Sequence, residues 1–367
     1  MSKQPSPSDK SGFLKTPVEP FIPRPNATAE EILSDMERIS FQGRNLALAH
    51  RVWSKMLIDD IFIFLGMAGA LSAGGLRLTI AELITKRYID CLVSTGANLY
   101  HDLHETRGQH HFIGTERAND AVLQEAHIDR VYDTFIDEDE FVENDNWIAA
   151  FAATLEKRPY TTREFLYRLG ERLWQETGRE GILTSAYRAQ VPIFCPAIAD
   201  SSIGMGLSQA RHLDPSVAHI DVIGDIIESS NIVLLQPRTA SIVLGGGTPK
   251  NFINQASVQA EFYQPGTGGH LYAIQIVTDV PYFGGASGST LSEAQSWGKL
   301  SENASRVSVN TDATVALPFL TCALVASSKH TIQHRKKPTF DAGNRHLILN
   351  GETLPIDHFR STDPQST

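Results

Sequence analysis

The 367-residue chain is 41% hydrophobic and 20% charged with a formal net charge of −10, an ordinary globular composition and an unfavourable charge for a nucleic-acid partner. No run approaches the ~18 apolar residues that a transmembrane helix needs, and the opening MSKQPSPSDKSGF lacks the apolar core of a signal peptide. Three dispersed cysteines, Cys91, Cys195 and Cys322, argue against a disulfide framework or a paired-cysteine zinc site, so a cytoplasmic protein is expected.

Residues 1–27 are rich in Pro, Ser and Lys and read as a flexible N-terminal arm. Thr28 and Glu31 then offer a capping box that opens a helix through EEILSDMERI. FQGRNLALAHRVWSKML follows, with Leu46, Ala49, Trp53, Met56 and Leu57 at helical spacing. From residue 61 short apolar runs alternate with helical segments: IFIFLG, IDCLVSTGAN, VPIFCPAIADSSIG, SIVLGGG, LYAIQIVTD and RVSVNTDATVALPFL. Each run ends in Gly, Ser, Thr or Asp. This pattern predicts an α/β fold, a doubly wound parallel sheet with helices on both faces, as a single large domain over residues 28–328. The acidic stretch IDEDEFVENDN reads as a solvated loop or helix start, and EFLYRLGERLW as an amphipathic core helix. Residues 329–367 read as a polar, peripheral C-terminal tail.

Ligands of open α/β sheets bind beyond the carboxyl ends of the strands. The most specific such end is GGGTPKN, where Gly245, Gly246 and Gly247 bare the backbone and Thr248 could cap a helix with Pro249 at its first position. Such a helix start suits a pyrophosphate, but it also suits a plain tight turn. Asp200, Asp279 and Asp312 fall at strand ends, where each could bind a ribose or an amine, or merely cap a helix. His101, His104, His110 and His111 have spacings that can bind zinc, but partner contacts or simple exposure fit them better, and no metal site is expected. In SEAQSWGKL, Lys299 is either a surface lysine or an amine that forms a Schiff base. Trp297 could wall a cationic substrate and Glu293 could bind an ammonium group.

Three motifs, LGGG followed by Lys250, EAQSWGK, and DATVALPFL, make the chain resemble the deoxyhypusine synthase family from about Phe41 to Ala326. The resemblance implies a Rossmann-like fold and a homotetramer of dimers with sites at the subunit interface. It implies NAD-linked aminobutyl transfer from a small polyamine such as spermidine, through a covalent imine on Lys299. By motif, Glu293, Trp297, Asn251 and Gly284 would contact substrate. Gly69, Ala73, Thr95, Gly96, Asp200, Gly246, Thr278, Asp312 and Ala313 would hold NAD. The chain departs from the family pattern at several points. Asn251 stands where the family has a histidine, Met205 and Ala286 stand at two acidic positions, and Tyr100 and His101 replace an acidic pair. Such losses imply a changed amine donor or acceptor. They resemble the bacterial deoxyhypusine synthase-like branch, some members of which make homospermidine. The alternatives are a true deoxyhypusine synthase acting on a translation-factor lysine, and a non-catalytic or differently specific NAD-binding relative.

Overall fold

A computed structural model describes residues 10–236, 238–285 and 290–354. Its centre is a six-stranded sheet of β1 Phe62–Met67, β2 Cys91–Ser94, β3 Ile193–Phe194, β4 Thr239–Leu244, β5 His270–Ile276 and β6 Leu300–Val309. The spatial order is β3-β2-β1-β4-β5-β6, and every neighbouring pair is parallel. This is the doubly wound order whose direction reverses between β1 and β4.

The strand sequences explain why both faces are covered. In β1 and the residue before it, Ile61, Ile63, Leu65 and Met67 enter one apolar cluster, while Phe62 and Phe64 enter another. β2 divides likewise, Leu92 to the first side and Cys91 and Val93 to the second. A period of two with apolar residues at both phases leaves no face for water.

The helices flanking the sheet are α1 Ala29–Met36, α2 Phe41–Ile58, α3 Arg77–Thr85, α4 Gly96–Arg107, α5 Glu138–Thr154, α6 Thr162–Thr177, α7 Ser202–Leu213, α8 Val222–Leu235, α9 Gly247–Tyr263, α10 Glu293–Ser296 and α11 Ala313–Ser327. Residues of α2, α3, α4, α6 and α11 fill the first cluster, and residues of α8 and α9 the second. Thr28 and Glu31 form the expected capping box of α1. The acidic stretch is a helix start, in which Asp137 accepts from the backbone N–H groups of Asp139 and Glu140 at 2.9 and 3.3 Å. Among the described residues no helix is long and apolar enough to cross a membrane.

Residues 329–354, the described part of the expected peripheral tail, are anchored by buried charge. The Arg335 guanidinium donates to Asp90 Oδ2 and to the Ile61 carbonyl, each at 2.5 Å, and both ionic side chains are fully buried. Arg163 reaches the same segment from α6, donating to the carbonyls of Ala342 and Asn344 at 2.9 and 2.7 Å. Polarity misled the sequence reading here, because Arg335 docks the segment onto Asp90 and the Ile61 carbonyl, and Arg163 binds its backbone carbonyls.

Candidate active site

The β1–β4 reversal opens a crevice at the carboxyl end of the sheet. Gly69 leaves β1 with φ +77° and open space where a Cβ would stand. Gly245 and Gly247 leave β4 with φ of +80° and +61°. Here the backbone itself makes the turn, so the expected cap is displaced. α9 begins at Gly247 with Gly246 as its N-cap and no side-chain cap bond, and Thr248 and Pro249 fall inside its first turn. The helix therefore presents glycine backbone to the crevice.

Asn98, which the sequence reading overlooked, ties the loops at this edge together. Its Nδ2 donates to the Gly69 carbonyl at 2.8 Å and to Thr95 Oγ1 at 3.0 Å, while its Oδ1 accepts from Ser72 N at 3.0 Å. Gly69, Ala73 and Thr95 are thereby brought into one neighbourhood. Gly96 permits close approach of the loop that carries Asp200, since a Cβ there would lie 2.2 Å from Ser201 Oγ. A Cβ on Gly74 would come within 3.8 Å of Thr314, so the Ala73 loop also meets the start of α11, where Asp312 and Ala313 lie. Asp312 is partly committed, because it caps α11 by accepting from Thr314 N at 2.7 Å. Gly246 and Thr278 follow β4 and β5.

These loops fit a dinucleotide. The glycines allow close approach of the backbone. Ser72 Oγ is buried with no hydrogen-bond partner among the described residues, which leaves a polar atom for a ligand to satisfy.

Lys299 is set by local geometry in the β5–β6 connection. Thr290 and Glu293 bond each other reciprocally at the entry to α10: Thr290 N donates to Glu293 Oε2 at 2.6 Å, and Glu293 N donates to Thr290 Oγ1 at 3.0 Å. At the other end Gly298 takes φ +70°. Its N–H bonds the Gln295 carbonyl at 3.1 Å, and Lys299 N–H bonds the Ala294 carbonyl at 3.0 Å. That pair of bonds is a Schellman termination. Motif EAQSWGK thus encodes a one-turn helix, its stop, and a lysine delivered to the start of β6.

Lys299 is half-buried, and its Nζ lies 5.5 Å from the centroid of the Trp297 ring. Trp297 is itself 68% exposed. The Glu293 carboxyl is held below its usual range, first by the Thr290 backbone N–H, then by the Thr290 hydroxyl, with a smaller contribution from Lys250.

Lys250 is the main site residue that sequence reasoning undervalued. It is fully buried in the first turn of α9. Burial first, and then the charge of Lys299, push its amine down to about 8, while Glu293 acts in the opposite direction. Lys250, Lys299 and Glu293 therefore form one electrostatic group. A usable signal was present in the sequence. A lysine in the first turn opposes the helix dipole, so its occurrence directly after GGGTP called for a reason.

Other expected site residues lie elsewhere or are differently engaged. Asn251 is exposed and lines a groove of about 420 Å³ between α8 and α9, together with Thr248, Phe252 and Phe262. Met205 is exposed on α7. Gly284, with φ +79°, ends the short helical turn Pro281–Phe283. Ala286 lies outside the described residues.

Tyr100 and His101 are buried between α4 and α5. Tyr100 donates its hydroxyl proton in this interface, where Phe141 O and Asp145 Oδ1 each lie at 2.7 Å. His101 Nδ1 lies 2.9 Å from His111 Nε2, and His111 Nδ1 lies 2.8 Å from Glu105. The rings of Tyr100, His101 and His104 surround Phe141. The expected exposure of His101 and His104 is thus corrected, because both pack into this aromatic interface. Among the described residues no three potential ligands converge on a metal position.

Comparison with known proteins identifies relatives of the chain. The deoxyhypusine synthase family profile matches residues 31–324. A Methanosarcina acetivorans protein described as "Probable deoxyhypusine synthase 2" is 45% identical over 314 residues, covering 85% of this chain and 90% of that one. An Archaeoglobus fulgidus protein of the same description is 46% identical over 307 residues, covering 83% and 99%. A Coxiella burnetii "Deoxyhypusine synthase-like protein" is 38% identical over 320 residues, covering 86% and 90%. Among solved structures, an Entamoeba histolytica chain described as a deoxyhypusine synthase superposes with TM-score 0.56 at 18% identity, covering 82% of this chain and 94% of that one. This chain belongs to the deoxyhypusine synthase family.

Proposed function

We propose that the protein is an NAD-dependent aminobutyl transferase in which Lys299 carries the transferred group, with a homospermidine-type product. The observation that carries this reading is Lys299 itself, delivered by the Gly298 termination beside Trp297 and within charge range of Lys250, on which Glu293 also acts. Bound NAD would supply the hydride acceptor and return that hydride at the end of the cycle. Gly69, Ala73, Thr95, Gly96, Asp200, Gly246, Thr278, Asp312 and Ala313 would hold it along the carboxyl edge of the sheet.

In this reading the Trp297 face binds the alkylammonium chain and Glu293 its terminal charge. Lys299 exchanges onto the oxidised carbon, releasing the remainder of the donor, and then passes its aminobutyl group to an acceptor amine. Met205, Tyr100 and His101 stand where the family pattern has acidic residues, which favours a small acceptor with altered charge spacing. The exposed Trp297 supports an assembly in which a second subunit completes the pocket, as in a homotetramer with sites at the dimer interface.

A second reading, deoxyhypusine synthase acting on a protein lysine, is favoured by the descriptions of the archaeal relatives. One experiment separates the two. The protein is incubated with NAD and spermidine, putrescine or agmatine, trapped with borohydride, and the Lys299 peptide is weighed. A butylamine-mass adduct that putrescine discharges supports the small-acceptor reading. Discharge only by a lysine-bearing translation factor supports the second. No adduct with any amine defeats both.

A further inference from the structure

We infer that Glu105, His111 and His101 form a proton acceptor for the amine substrate: His101 takes the ammonium proton, His111 holds the resulting charge, and Glu105 stabilises it. The inference rests on the aminobutyl-transfer reading and supplies the base that hydride removal needs.

The chain of three groups is continuous. Glu105 Oε1 lies 2.8 Å from His111 Nδ1, and His111 Nε2 lies 2.9 Å from His101 Nδ1. With both rings neutral, these contacts fix the tautomers. An ionised carboxylate only accepts, so His111 carries its proton on Nδ1. Its Nε2 then accepts, so His101 carries its proton on Nδ1 and keeps a lone pair on Nε2. Among the described residues no hydrogen bond reaches that Nε2, and His101 retains 8% exposure.

α4 runs this chain up to the dinucleotide edge. Asn98, His101 and Glu105 are spaced i, i+3 and i+7, which is one face of a helix. Asn98 binds the Gly69 carbonyl and Thr95 in the crevice. His101 therefore stands about one turn, about 5 Å along the axis, from the crevice loops. Glu105 lies a further turn out, with 27% of its side chain exposed.

The neighbouring groups leave the role to these three. His104 is committed, because Asn144 Nδ2 donates to its Nδ1 at 3.1 Å and its Nε2 donates to the His110 carbonyl at 3.2 Å. From α5, Glu140 faces His104 at 3.6 Å, Glu143 pairs with Arg107, and Asp145 lies 2.7 Å from the Tyr100 hydroxyl. The His110 ring, in the loop after α4, acts on His104 and Glu140. Burial raises the Glu105 carboxyl, but the bond and charge of His111, together with Arg77 at the start of α3, outweigh this and hold it below its usual range. An ionised Glu105 is what a charged His111 needs. Phe141 packs on the rings of His101 and His104, and a carboxylate attracts an imidazolium more strongly where water is excluded.

The step balances without an added reagent. Alkylamines are ammonium ions at neutral pH, whereas hydride leaves a carbon that carries a neutral amine. One ammonium N–H bond breaks and its proton bonds to His101 Nε2. The Nδ1 proton of His101 passes to His111 Nε2. The products are a neutral amine, a neutral His101 in its other tautomer, and an imidazolium at His111 beside the Glu105 carboxylate. The proton returns by the reverse path when the product amine forms.

The test uses the full-length protein. Glu105→Gln keeps an oxygen that accepts from His111 Nδ1 but removes the charge. With NAD and spermidine, its single-turnover NADH formation should be roughly 10- to 100-fold slower than wild type at neutral pH. The defect should shrink as pH rises and solvent deprotonates the amine. No defect, or one that does not change with pH, would overturn the proposal. Nitrogen-15 NMR of the wild type without cofactor or amine decides the matter if the variant does not fold. Both His101 and His111 should carry their proton on Nδ1, and His111 should take up a proton before His101. A proton on His101 Nε2, or first uptake by His101, would overturn the proposal. No NADH from the wild type with spermidine, putrescine or agmatine would defeat the transferase reading, and the NMR result would still decide the proton chain.

Discussion

His270 and Lys299 are joined at the main chain: the His270 N–H donates to the Lys299 carbonyl at 3.0 Å. The bond fixes the lysine at the mouth of β6 through its main chain, without engaging its side chain. His270 is in turn held by its ring, with Nδ1 2.7 Å from Thr239 Oγ1 and Nε2 3.3 Å from the Ile253 carbonyl. Four pieces of the fold, β4, α9, β5 and the motif loop, thus converge on His270. A reactive amine on a flexible stem gains its precision from such a support.

Gly298 supplies the other half of that support. Replacing it with alanine puts a Cβ at φ +70°, a conformation that costs a non-glycine residue about 1–2 kcal/mol. Gly298→Ala is expected to lower the melting temperature by a few degrees and to reduce borohydride-trapped adduct on Lys299 by a larger factor than Lys299→Arg reduces stability. An undiminished adduct yield in Gly298→Ala would show that the Schellman turn does not set the lysine.

Gly96 gives a test of the dinucleotide edge. A Cβ there would collide with Ser201 Oγ at 2.2 Å, displacing the Asp200 loop from the Thr95 side of the crevice. Gly96→Ala should therefore weaken NAD binding, measured by tryptophan fluorescence quenching, by at least about tenfold, about 1.4 kcal/mol. Binding of NAD at wild-type strength would remove Gly96 and Asp200 from the cofactor set.

The sequence made much of this arrangement legible, for identifiable reasons. The strands were readable because burial on both faces leaves continuous apolar runs, as in Phe62–Met67. α1 was readable because its capping box is local, as the Thr28–Glu31 bonds are. Three-dimensional pairings were not. Nothing near Arg335 in the sequence announces Asp90, which is 245 residues away. Asn98 looked like any helix-start asparagine, although it joins three loops. The α9 cap was misplaced because Thr248 and Pro249 matched a known helix-start pattern, while the glycines at 245 and 247 had already made the turn. Lys250 stands out in the sequence only as part of a motif, since burial of a lysine at a helix start leaves no periodic trace.

The Asp90–Arg335 pair should be essential to the closing segment. Both groups are fully buried, and Asp90 Oδ2 also accepts from Ile63 N at 2.9 Å at the edge of β1. Arg335→Met leaves the buried carboxylate with Arg87 alone, whose Nη2 lies 3.2 Å from Asp90 Oδ1, so the loss should approach but not exceed the ~3–5 kcal/mol of breaking a buried pair outright. The double variant Asp90→Asn with Arg335→Met should recover part of that loss in urea unfolding. If Arg335→Met unfolds at the wild-type urea midpoint, the segment is not held by this pair.

The buried histidines make stability depend on acid pH, and the sign follows from their direction. Burial lowers His270, His101 and His104 from the ordinary 6.5 to about 4 each. For His101, the neighbouring His111 and His104 add to that effect. In the unfolded chain these rings bind protons below about 6.5, whereas in the folded chain they stay neutral until about 4. The unfolded state therefore takes up more protons between these values, and stability falls as pH drops from about 6.5 toward 4. Each histidine contributes up to about 3 kcal/mol to that loss. His270→Gln retains a polar group between Thr239 and Ile253 but does not titrate. It should be less stable than wild type at pH 7.5, and its urea midpoint should fall less steeply on acidification. A slope equal to wild type between pH 6.5 and 4 would mean that His270 is already protonated in the folded protein. The neutral ring bridging β5 and α9 would then have to be abandoned as the support of Lys299.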